Sequence, residues 1–138
     1  NNSFGLSVTS SSSYGFIFRI YTPSLDQCIS YYVPTADGST WYFVVATYDG
    51  SAMRVYVNGY QQNATGAIGY MKATSDAVRI GNWNDGERPF DGRIDELAMF
   101  DNALTPEEIL WLYNGGAGRS FSDLTPSEST FIPKIMIF

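Results

Sequence analysis

Residues 53–59 (MRVYVNG) constrain the fold of this chain more than any other stretch. Met53, Val55 and Val57 alternate with Arg54 and Tyr56, the two-residue period of a strand with one apolar face. Asn58-Gly59 follows at once, and that pair supplies the two positive φ angles of a type I′ hairpin turn. Upstream, residues 41–48 (WYFVVATY) are apolar on both faces, as in a central strand covered on each side. Asp49-Gly50 turns the chain between the two.

The same patterning recurs along the chain. Residues 4–8 form a short apolar stretch, and the serine run 10–13 reads as a loop. In residues 14–21, Phe16, Phe18 and Ile20 alternate with Ile17, Arg19 and Tyr21, and Thr22-Pro23-Ser24 breaks the strand. Residues 27–33 are a further strand, followed by a turn over 34–40 that contains Asp37-Gly38. More strands are expected near 67–71, 77–80 and 94–100. One helix stands out. Thr105 is placed as N-cap, Pro106 at the first helical position and Glu108 at the third, which is a capping box. Leu104 and Ile109 would staple its start, and the helix should run to Tyr113 and stop at Gly115-Gly116. Many short strands with frequent turns predict an all-β fold, an antiparallel two-sheet sandwich with one short C-terminal helix.

Composition removes several functions. The chain has no histidine, so Ser-His-Asp and Cys-His catalysis and His-ligated metals are excluded. Cys28 is its single cysteine, so it forms no internal disulfide. A net charge of −6 makes a poor partner for nucleic acid and offers no basic face to an anionic membrane. No apolar run approaches the roughly 18–20 residues that cross a bilayer. At 138 residues the chain suits one domain. It begins at Asn1 with neither Met nor signal peptide, as expected of a processed product or an excerpt.

Residues 41–59 (WYFVVATYDGSAMRVYVNG) resemble the core hairpin of the laminin-G-like, concanavalin A-like jelly rolls. Residues 81–118 (GNWNDGERPFDGRIDELAMFDNALTPEEILWLYNGGAG) resemble that family's C-terminal signature, with its Gly-x-Ile-Asp-Glu strand and Leu-Tyr-Asn-Gly-Gly ending. The resemblance implies a jelly-roll domain over residues 1–119, with 120–138 as a C-terminal extension, edge strand or linker. Family members open with a strand carrying a Phe-Asp-Gly-like turn, and no such motif precedes Phe4. Either that opening strand is missing from this excerpt, or residues 131–138 (FIPKIMIF) or a neighbouring chain would fill its place. The segment is too apolar to be a free tail.

The superfold also holds retaining glucanases, whose two carboxylates lie about 5–5.5 Å apart on one face. Here Asp95 and Glu96 are adjacent and would point to opposite faces of a strand. The reading is therefore non-catalytic. A bulge near Asp95 would return Ile94 to the core and leave one carboxylate to bond freed amides. Residues 82–91 (NWNDGERPFD) gather Asn82, Asn84, Asp85, Glu87 and Asp91. They are a candidate oxygen-rich calcium loop or an ordinary polar loop, and no cofactor is required. Trp83, Asn84 and Asp85 in this loop, with Tyr56 on the polar face of its strand, are the candidate ligand-binding residues. Flat aromatics stack on pyranose rings while amides and carboxylates bond hydroxyls. Trp41 and Trp111 are placed in the core. Asn1-Asn2-Ser3 and Asn63-Ala64-Thr65 match the N-glycosylation pattern, which is common by chance.

Two roles fit these features. One is a lectin-like module for glycan adhesion on a larger extracellular or virion assembly. The other is a purely structural decoration domain of a phage or other surface assembly. Expected partners are glycans or neighbouring subunits, including further copies of the chain.

Overall fold

The computed structural model describes residues 4–9, 15–22, 26–32, 38–67, 69–82, 89–120 and 123. They form two antiparallel three-stranded sheets and one short helix. The first sheet has the order β1 (Phe4–Thr9), β2 (Gly15–Tyr21), β3 (Asp26–Tyr32). The second has the order β4 (Val44–Tyr48), β5 (Ala52–Val57), β6 (Tyr60–Gly66). The helix α1 spans Pro106–Tyr113. This is the all-β two-sheet sandwich that the strand patterning predicts.

The alternation in β2 and β5 makes the core between the sheets. Phe18 and Ile20 meet Met53, Val55 and Val57, with Ala67 at one end. Phe16 and Tyr42 close it with an edge-to-face ring contact at 5.8 Å. Burying each such side chain is worth about 1.5–3 kcal/mol, so this layer supplies much of the cohesion of a chain without disulfides.

The second sheet is covered on its other face as well. Tyr56, Leu104, Ile109 and Leu112 form a second core, with Phe43, Val45 and Phe100 packed around it. The two-sided apolar pattern of residues 41–48 is thereby explained. Ala46 and Tyr48 face the first core, and Phe43 and Val45 face the helix.

The turn and cap take the geometry their residues dictate. Asn58 and Gly59 have φ of 52° and 84°, as a type I′ turn requires. Asn58 also ties the hairpin to the start of β4: its N–H donates to the Phe43 carbonyl at 2.8 Å, and its Oδ1 accepts the Phe43 N–H at 3.1 Å. In α1, the Glu108 N–H donates to Thr105 Oγ1 at 3.2 Å and the Thr105 N–H donates to Glu108 Oε2 at 2.7 Å. Leu104 and Ile109 are both buried in the second core, as a staple requires. Asn114 caps the C-terminus in the left-handed region, with φ of 49°.

Among the described residues, none of the strands expected near 67–71, 77–80 and 94–100 forms. Residues 69–82 and 89–97 contain no strand, and Val78, Ile80, Ile94 and Leu97 are exposed. Local bonding and backbone twist compete with pairing there. Gly69, Gly81 and Glu96 take φ of 131°, 80° and 51°, and Asp95 Oδ1 accepts the Glu96 N–H at 2.9 Å. One carboxylate does bond a local amide, but Ile94 does not return to the core. On the side of β5 away from β4 the partner is β6, immediately after the Asn58-Gly59 turn.

Candidate functional site

The loop carrying the candidate ligand residues is closed at its base. The Phe90 N–H donates to the Gly81 carbonyl at 2.7 Å, which brings the two ends of the 82–89 segment together. Asn82 and Asp91 flank this closure, and both are exposed. Trp83, Asn84 and Asp85 lie outside the described residues, as does Glu87.

Just beyond Phe90, Arg93 reaches back over Trp41. The guanidinium carbon stands 5.3 Å from the centroid of the indole, within cation–π range. Trp41 is 53% exposed, which corrects its placement in the core. It lies ahead of β4, and the next two residues take the two buried faces: Tyr42 turns to the inter-sheet core and Phe43 to the helix. The exposed aromatic in contact with Arg93 is thus Trp41. Its signal in the sequence was position: it stands three residues before the first residue of β4.

Tyr56 is not exposed. It retains only 1% of its surface, and the expectation that it faces a ligand is corrected. Its register explains the burial. Tyr56 pairs with Val45 across the hairpin, so both lie on the face that α1 covers. Burial holds the phenol above its ordinary pKa, and its hydroxyl donates to Gln61 Oε1 at 3.3 Å. A neutral, satisfied tyrosine in a core is a packing residue.

Trp111 is also outside the core, at 37% exposure. Ile109 and Leu112 take the inward face of α1, and the helical period turns Trp111 away. Arg119 stacks on its ring at 4.1 Å, while Arg119 Nε donates to the Trp111 carbonyl at 3.0 Å. Arg119 Nη2 also reaches Asn114 Oδ1 at 3.4 Å. This stack closes the helix C-terminus.

At the β4–β5 turn, Asp49 organises the backbone. Its Oδ1 accepts the N–H groups of Ser51 and Ala52 at 2.9 and 2.8 Å, and the Ser51 hydroxyl at 2.7 Å. Arg54 Nη1 donates to Asp49 Oδ2 at 2.6 Å. The Arg54 guanidinium, followed by the Ser51 and Ala52 donors, holds the Asp49 carboxyl well below the usual carboxylate range. The arrangement is that of an Asx turn with a charged clasp, and its donors are spent on the fold.

Among the described residues, no group of three or more Asp, Glu, Cys or His side chains comes together to hold a metal ion. Asp91, Asp95 and Glu96 are exposed on the same irregular stretch. No helix among the described residues is long and apolar enough to cross a membrane.

Two packed antiparallel sheets with a short helix laid on one of them define a lectin-type β-sandwich. The chain belongs to the concanavalin A-like lectin/glucanases superfamily, whose laminin G family model matches residues 1–110. Its fold is similar to that of residues 221-444 of an S-layer domain-containing protein from Clostridium thermocellum ATCC 27405. The two superpose with a TM-score of 0.50 at 20% identity, over 78% of this chain and 55% of that one. The chain thus spans little more than half the length of that structure. No curated protein matches the chain.

Proposed function

We propose that this domain is a non-catalytic, lectin-like module that binds glycans, carried on a larger extracellular or virion-surface assembly. The observation that carries the reading is the exposed indole of Trp41, standing under Arg93. An indole offers a flat apolar face to the C–H groups of a pyranose, and the loop supplies amide and carboxylate groups for hydroxyls. Trp83, Asn84 and Asp85 remain its proposed partners. Membership of a lectin-containing superfamily supports this reading, and the S-layer domain-containing neighbour supplies a surface-assembly context. Catalysis is not part of the proposal: Asp95 and Glu96 are adjacent, and the Asp95 carboxylate is engaged with the next amide.

A glycan array tests the reading. The wild-type domain is expected to bind a restricted set of glycans, and Trp41→Ala to lose that binding while keeping its melting temperature. Binding is expected to survive EDTA, because the stacking and hydrogen-bonding contacts require no metal; loss in EDTA with recovery in calcium would assign the 82–91 loop to calcium instead.

The structural-decoration reading rests on a different observation. Phe4, Leu6 and Val8 pair directly with Ile20, Phe18 and Phe16, so they lie on the inner face of the first sheet. They are nevertheless exposed, because β1 lies at the sheet edge, beyond what the facing sheet covers. An empty array together with concentration-dependent self-association would favour that reading. Residues 131–138, the segment expected to cover such a gap, lie outside the described residues.

A further inference from the structure

Arg93 differs from two other arginines in how its donors are used. Arg54 donates to Asp49, and Arg119 donates to the Trp111 carbonyl and to Asn114. Arg93 is exposed, and its described contact is with the ring of Trp41. Among the described residues it makes no ion pair. A cation–π contact is made by the charge over the ring and does not consume the planar fork of N–H donors. That fork matches the two oxygens of a carboxylate. Among the described residues, an apolar ring and a guanidinium without a carboxylate partner therefore lie within one sugar's width of each other.

We infer that Trp41 and Arg93 together select a pyranose bearing a carboxylate, a sugar of the uronic acid class. The indole takes the C–H face of the ring and Arg93 takes the carboxylate. This rests on the glycan-binding reading above. A polyphosphate chain is a poor alternative, because it needs several clustered cations and this site presents one.

The experiment is calorimetric titration of the domain with tetragalacturonate and with its methyl ester, which keeps the rings and removes the charge. The acid is expected to bind about tenfold more tightly than the ester, the worth of a charge-assisted hydrogen-bonded pair. Arg93→Gln should abolish that preference, whereas Arg93→Lys should restore part of it. Melting curves of the variants confirm that they are folded. Equal affinity for acid and ester overturns the inference and leaves the glycan-binding reading standing. Arg93→Gln retaining the preference overturns it as well. If the array and both titrations show no glycan binding, the parent reading falls and the inference with it.

Discussion

Gly59 lies directly beneath Tyr113: a Cβ built on Gly59 would sit 2.9 Å from Tyr113 Cδ1 and 3.0 Å from Leu110 Cδ1. The hairpin turn and the helix are thus in contact through a position that a side chain cannot share. The φ of 84° makes the same demand independently. Gly59→Ala should destabilise the domain by about 2–4 kcal/mol, the sum of a left-handed backbone and a crowded contact. Gly66→Ala is the control, since nothing lies within 4 Å of that position and its φ is ordinary. Urea unfolding of the two variants checks the difference.

Tyr56 separates packing from recognition. Tyr56→Ala should cost about 3–5 kcal/mol, as expected for an aromatic side chain removed from a core. Tyr56→Phe should cost only about 1 kcal/mol, because it removes one hydrogen bond to Gln61 and keeps the ring. Glycan affinity should not change in Tyr56→Phe. An affinity loss in that variant without a drop in stability would return Tyr56 to the binding surface.

The clasp at Asp49 gives acid sensitivity of a defined sign. Its carboxyl is held below its unfolded value by Arg54 and the turn amides. Its contribution is therefore complete above the unfolded pKa of about 4, and is lost as the pH falls from there toward the folded value. Asp49→Asn keeps the shape and removes the charge. The variant should be less stable than wild type at pH 7, and the gap should narrow as the pH drops below about 4. Melting temperatures measured from pH 7 to pH 2 test this.

The helix depends on its cap. Thr105→Ala removes the acceptor of the Glu108 N–H and should cost about 0.5–2 kcal/mol. Because α1 covers Tyr56 and Phe43, the loss should be seen in near-ultraviolet circular dichroism as well as in global unfolding.

Short-range chemistry was legible in advance. The Asn58-Gly59 turn, the Thr105 capping box, the extent of α1 and the first five strands each depend on residues a few positions apart, and each appears where the pattern puts it, within two or three residues. The two-sided burial of residues 42–48 was legible too, because apolar residues at both parities leave no face for water. Patterning failed in residues 69–82 and 89–97, where apolar residues recur but no ladder forms among the described residues. A period of two marks what a segment is able to do. It does not supply the partner strand.

The candidate site shows the same division more sharply. Tyr56 alternates with buried valines and so reads as outward-facing, yet the outward face of β5 is where a helix from much later in the chain lies. Trp41 heads an apolar run and so reads as core, yet it stands ahead of the first residue of β4, exposed under Arg93. Periodicity along one strand reports which side chains share a face. Whether that face meets water or protein depends on elements distant in sequence, whose docking is set by the summed burial of both cores. Local residue chemistry therefore specified the turns, the cap and the faces, while only the tertiary structure decided that α1 buries Tyr56 and that Trp41 stays exposed under Arg93.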